Sequence, residues 1–218
     1  MLKREKKSEK CAEFKRLFDL QIKTLKSIFR NRFGNNSSGK RTYWEVMDGF
    51  LRQRDRVTEK ASTMVIGENN IPFLPVYTGR RIDMVRIGGK IGFEHIYTSA
   101  WINIVDAPLE HDRCIEYYIF DIENGYSTLG KSPKDAHKIL KTRLRSPLTV
   151  DEIIALCIHT NVLSSHDVWA PGSRCGYVNS VPFIKAKSFL DTGPQLDIEY
   201  QDKSDDKRGS PSCIYRLE

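Results

Sequence analysis

Two short turns built from Gly, Ser and Cys hold the residues best suited to chemistry: Gly172-Ser173-Arg174-Cys175-Gly176 and Gly209-Ser210-Pro211-Ser212-Cys213. Glycine on both sides of the first lets backbone approach a ligand closely, and Arg174 beside Cys175 favours a thiolate electrostatically. His159 and His166 lie near enough in sequence to join them. The catalytic candidates are therefore Cys175, His159 and His166. The ligand-binding candidates are Ser173, Arg174, Cys175, Gly176, Ser210 and Cys213. Three chemistries compete for this set. A Cys–His nucleophile pair needs only two side chains within hydrogen-bond reach. A zinc site at Cys175, Cys213 and His159 needs a fourth ligand, and the spacings are longer and less regular than those of common zinc motifs. The third reading is inert: free cysteine is among the most buried residue types, and histidine suits the last turn of a helix through the dipole alone. The inert reading carries the most weight.

Other constellations are weaker. Glu110-His111-Asp112-x-Cys114 has ligand residue types but precedes a strong strand pattern and reads as a solvated turn. Cys157 falls among Ile154 and Leu156 and reads as core. Ser164-Ser165-His166-Asp167 holds hydrolase residue types, yet sequence neighbours cannot fold into a nucleophile–base–acid line. Gly-x-Ser-x-Gly is absent, so there is no nucleophile elbow. Gly88-Gly89-Lys90 lacks the spacing and the following helix of a phosphate loop.

The elements that must position these residues are legible from periodicity. Phe14, Leu17, Phe18, Ile22, Leu25, Ile28 and Phe29 predict an amphipathic helix over 9–33, with Lys and Arg outward. Gly34 to Gly39 then reads as a flexible connector. A second helix is expected over 42–60 with Trp44, Met47, Phe50 and Leu51 inward. Ile71 to Tyr77 is a short apolar run that Pro72 and Pro75 confine to a sheet edge or an irregular strand. Gly88-Gly89 marks a hairpin between 85–87 and 90–93, and 100–105 reads as a short buried element. Cys114 to Ile122 is the strongest strand, ending at Asn124-Gly125, with 126–129 as its return strand. Ser132-Pro133 starts a helix over 134–144. Thr149 with Glu152 forms a capping box for 150–160. A helix-turn-helix is rejected, because Asp151 and Glu152 would meet phosphate with like charge. Two strands, 181–187 and 195–200, flank Asp191 to Pro194, and 201–209 reads as a charged, mobile run.

At 218 residues with 39% hydrophobic content, the chain suits one well-packed α+β domain. The net charge is +7. Residues 1–40 hold twelve Lys or Arg against four acids, whereas 41–218 hold twenty-three against twenty-four. The basic character thus belongs to one terminal segment, which weakens a nucleic-acid reading of the domain as a whole. Residues 1–40 read as a basic amphipathic helix and flexible connector, 41–218 as the α+β domain, and 1–218 as one structural unit. No apolar run approaches the length of a membrane span. The basic start lacks the apolar stretch of a secretory signal, and five dispersed cysteines do not form a disulfide framework. The expected location is cytoplasmic.

Arg145-Ser146-Pro147-Leu148-Thr149 with Glu152, Ala155 and Leu156, then Gly172 to Gly176, Val181-Pro182 and Gly209-Ser210-x-Ser212-Cys213, resembles a bacterial family catalogued as domain of unknown function 5701. Weaker matches at Gln21-Ile22-x2-Leu25, Ile71-Pro72-Phe73 and Asp121 to Gly125 extend the resemblance from about Phe14 onward. The chain departs from that pattern twice. The charged run Tyr200 to Arg208 replaces a segment rich in tryptophan and small residues, and Trp169-Ala170-Pro171 stands where a further cysteine is expected. A metal site using those residues would be incomplete here. The resemblance implies a domain extent and a site, and no reaction.

The leading expectation is a cytoplasmic binding or interaction module, taking a protein or small-molecule ligand at the two Gly/Ser/Cys turns. The alternative is a thiol- or zinc-dependent enzyme using Cys175 with Cys213 and a histidine. A weaker alternative is a nucleic-acid accessory protein using the basic N-terminal helix.

Overall fold

The computed structural model describes residues 2–30, 42–78, 105–106, 116–174, 179–186 and 194–217. The connector at 34–39, the hairpin at 85–93, the cluster 110–114, Cys175, Gly176 and the turn at 191–193 lie outside the described residues.

The N-terminal helix α1 (Leu2–Arg30) buries Phe14, Phe18, Ile22, Leu25 and Phe29 on one face, each at most 4% exposed. That stripe sits on strand β1 (Ile71–Tyr77) and strand β3 (Glu116–Ile122). Phe14 meets Phe73 edge-on, and Phe18 stacks on Tyr118 with ring centres 5.6 Å apart. The apolar face of α1 is thus consumed by the core, which leaves none for a membrane surface. Among the described residues no helix is long and apolar enough to cross a membrane.

The helix expected over 42–60 is two helices, α2 (Tyr43–Leu51) and α3 (Arg54–Thr63). Thr42 and Glu45 form a capping box at the start of α2. At its end the Gln53 amide N–H bonds the Phe50 carbonyl, and the Gln53 side chain donates to Gly49 and to Glu116 of β3. Met47 and Phe50 point inward as expected, with Val46, but Trp44 is 74% exposed and Leu51 39%. An Arg54–Asp19 pair with two hydrogen bonds, at 2.9 and 2.7 Å, ties α3 to α1.

The first sheet runs β1-β3-β11, where β11 is Tyr215–Leu217, and both pairings are antiparallel. Among the described residues β1 pairs with β3 alone, so its two prolines lie on an edge strand. Successive side chains of β3 face opposite ways: Tyr118 meets α1 and α2, whereas Tyr117 meets the helix α5 (Val150–His159). The return strand expected at 126–129 is absent. Gly125 has φ +102° as its turn demands, but Tyr126–Thr128 forms a 3-10 turn, and the second partner of β3 comes from the end of the chain.

The second sheet runs β8-β7-β5-β9, with β5 at Asp167–Trp169, β7 at Ser180–Lys185, β8 at Gln195–Tyr200 and β9 at Arg208–Gly209. Strand β9 runs parallel to β5, and the other two pairings are antiparallel. Helix α5 packs against both β1 and β7, so it joins the sheets. Ser132 caps α4 (Pro133–Thr142), and the Thr149–Glu152 capping box starts α5. Two small ladders complete the frame: β4 (Ser146–Pro147) with β10 (Ser212–Cys213), and β2 (Val105–Asp106) with β6 (Ser173–Arg174). The run 201–209, expected to be mobile, is a folded turn: Arg208 lies 3.2 Å from Asp205, Lys134 2.9 Å from Asp202, and β9 closes it. The whole is a single α+β domain.

Candidate functional site

Among the described residues, the late motifs converge on a hydrogen-bonded clasp. Strand β4, from Arg145-Ser146-Pro147, pairs with β10, from Ser212-Cys213. Arg145 donates to the Asp121 carboxylate at 2.7 Å, to the Asp121 carbonyl, to Ser212 Oγ at 2.8 Å and to the Ser212 carbonyl. Asp121 also accepts from the Gly67 amide at 2.7 Å and from Asn70 at 2.8 Å. Burial works to raise the Asp121 pKa, but these donors outweigh it and hold the carboxyl below its ordinary range.

A second arginine lies close by. Arg216 donates to Glu152 through Nε at 2.7 Å and Nη2 at 2.9 Å, and to Ser146 Oγ at 2.7 Å. Glu152 is fully buried and also accepts from the Tyr117 hydroxyl and the Thr149 amide. Burial favours the neutral form of Arg216, yet the Glu152 carboxylate reverses this and keeps the charge firmly in place. Asp151 and Glu152 are both buried, so the N-terminus of α5 presents no face to nucleic acid.

The glycines of these motifs serve the same clasp. A Cβ on Gly172 would fall 2.8 Å from the Leu148 carbonyl, and the Gly172 amide donates to that carbonyl at 2.9 Å. A Cβ on Gly209 would fall 2.2 Å from the Gly125 oxygen. Close backbone approach is real at both turns, but the partner is another part of the chain.

Each candidate can now be placed. Cys213 is fully buried in β10, and burial first, then the Glu152 charge, pushes its thiol up to about 12. Burial also pushes the Cys157 thiol up. Neither is a nucleophile at neutral pH. His159 ends α5, and Cys213 pairs with Ser146 before α5 begins. The two residues are thus associated with opposite ends of α5. Among the described residues no group of His, Cys, Asp and Glu is arranged to hold a metal. The His159 ring buries Nε2 without a partner, and that burial drives its pKa down to about 4. Ser173 Oγ accepts from the Val150 amide at 2.9 Å, which satisfies a free donor at the start of α5. Arg174 is turned onto the Pro171 and Ser173 carbonyls at 2.6 and 2.8 Å, and burial lowers its pKa. Its Nη1 is thus engaged by backbone.

The remaining candidates, Ser210 and His166, flank the β5–β9 pair, and there the picture changes. The amide of Ser210 bonds Thr128 Oγ1 at 2.8 Å, but its own buried hydroxyl has no partner. His166 Nε2 bonds the Asn124 carbonyl at 3.0 Å, which makes Nε2 the donor and Nδ1 a bare, buried acceptor. Trp169 Nε1 and Arg208 Nη1 are likewise buried and unpartnered. Trp169 and Arg208 were missed in the sequence. A tryptophan beside Ala170-Pro171 was the available signal, but nothing local pairs it with an arginine far along the chain.

Comparison with protein-family models, with curated proteins and with solved structures finds no match to this chain.

Proposed function

We propose that this chain is a cytoplasmic binding module of the bacterial family it resembles, with its ligand surface along the β5–β9 pair next to the second Gly/Ser/Cys turn. What supports the reading is a concentration of buried polar atoms without a hydrogen bond: His166, Trp169 and Ser210 hold one each and Arg208 two, and all four residues lie in or beside these two strands. Buried polar groups are nearly always hydrogen-bonded, and clustered exceptions mark places where something else supplies the partner. The motifs behind the family resemblance form the rigid clasp behind this surface.

Native mass spectrometry tests the reading. A bound small molecule, lost in Arg208→Met and kept in Cys213→Ala, is the expected result. An unliganded mass for the wild type both as purified and after incubation with cell metabolite extract speaks against it. The thiol-enzyme alternative keeps Cys175 as its nucleophile, because burial holds Cys157 and Cys213 as thiols. Thiol titration of the native protein checks it: one fast-reacting group that disappears in Cys175→Ser would favour the enzyme.

A further inference from the structure

The second face of the four-stranded sheet has a specific chemistry. Trp169 and Phe183 stand side by side on β5 and β7 with ring centres 5.0 Å apart. The guanidinium carbon of Arg208 lies 3.8 Å from the centre of the Phe183 ring and 4.9 Å from that of Trp169. Its Nε is 3.2 Å from an Asp205 oxygen and 3.9 Å from an Asp167 oxygen. Trp169 Nε1 and Arg208 Nη1 can only donate, and neither meets an acceptor. The layer opens at the sheet edge, where the side chains of Arg208, Asp167 and Asp205 are 13, 19 and 27% exposed.

The charges restrict what those donors can take. Asp205 and Asp167 already offset the guanidinium, and Glu199, also in its field, is paired with Lys203. An anion brought here would face more carboxylate than guanidinium. A neutral oxygen meets no such repulsion, and an N–H on the same ligand finds acceptors in the two carboxylates. Asp167 uses one oxygen for the Ala186 amide, at 2.8 Å, and turns the other toward Arg208. A carbonyl acceptor beside an N–H donor is a carboxamide.

Resting on the binding-module reading above, we infer that this face binds a small uncharged carboxamide, its carbonyl oxygen held by Trp169 and Arg208 and its N–H by Asp167 or Asp205. The test uses the full chain, labelled with nitrogen-15, and the indole N–H resonances of its three tryptophans. Trp169→Phe identifies the reporting signal, and Trp44→Phe with Trp101→Phe identifies it by elimination if that variant does not fold. Acetamide and sodium acetate, matched in shape and opposite in charge character, are titrated at constant ionic strength. Acetamide is expected to move the Trp169 indole proton downfield and saturably while acetate leaves it in place. Arg208→Met should weaken acetamide binding at least about fivefold, the scale of one lost hydrogen bond. Acetate binding as well as or better than acetamide would overturn the carboxamide and leave the binding reading standing. No movement with either probe would remove both.

Discussion

Arg216 and Arg208 are both largely buried arginines, and they live in opposite circumstances. Arg216 makes a two-bond pair with Glu152 and further bonds to Ser146 and Pro147. Arg208 has carboxylates near it but leaves Nη1 without an acceptor, beside a tryptophan in the same state. The first arrangement is closed, with its hydrogen bonds spent on holding β4, β11 and α5 together. The second is open, and its unspent donors lie at a sheet edge. Matched buried charges report structure. The unmatched buried donors are the observation behind the proposed binding surface.

The largest expected effect is at the closed arginine. Arg216→Met strands the Glu152 carboxylate in the core and should cost about 3–5 kcal/mol, the usual penalty for breaking a buried pair from one side. Urea denaturation measures it, and a loss near zero would mean that Glu152 finds other partners. Gly209→Ala comes next. Its methyl group would overlap the Gly125 carbonyl, so roughly 2–3 kcal/mol should be lost as an overpacked contact. A neutral result in thermal unfolding would show that the Gly125 turn can give way.

The pH dependence sharpens the comparison further. His159 is held neutral in the fold, near 4 against an ordinary 6.5, so the unfolded chain takes up a proton first as pH falls. The associated stability is present above about pH 6.5 and is lost progressively down to about pH 4, amounting to about 1–3 kcal/mol. His159→Gln should flatten that slope in a stability series from pH 7 to 4, and an unchanged slope would place the titration elsewhere. Asp121, whose carboxyl is held below its ordinary range, acts in the same direction at more acid pH. Its contribution is present above about 3.9, and falls away as the pH drops through the folded value. The smallest effect belongs to the open arginine. Arg208→Met keeps the stem over Phe183 and removes an unpartnered donor, so about 1 kcal/mol or less should be lost.

Local signals carried much of the fold. The Ser132-Pro133 start, the Thr149–Glu152 capping box, the core face of α1 and the alternation in β7 and β8 all rest on residues within a turn or two of one another, and each element is there. Pairings across long separations were not legible. β11 is three residues long with no period to read, so a nearby return strand took its place as the expected partner of β3. The break between α2 and α3 depends on Gln53 reaching β3, which no local pattern announces. Glu152 shows the limit most clearly. Its capping role was visible, but an acid set among Val150, Ile153 and Ile154 also needs a buried cation, and only the fold reveals that Arg216 supplies it. At the proposed site, Ser210 and His166 flank β9 and β5. The cysteines drew notice for their chemistry, yet burial holds Cys157 and Cys213 as thiols.

The most direct test is the same substitution made twice. Arg216→Met and Arg208→Met are compared by urea denaturation under identical conditions, each against the wild type. The closed-and-open account predicts a loss of about 3–5 kcal/mol for Arg216→Met and no more than about 1 kcal/mol for Arg208→Met. Equal losses would contradict it, because Arg208 would then be a structural arginine like its counterpart and its unpaired donors would mark no site.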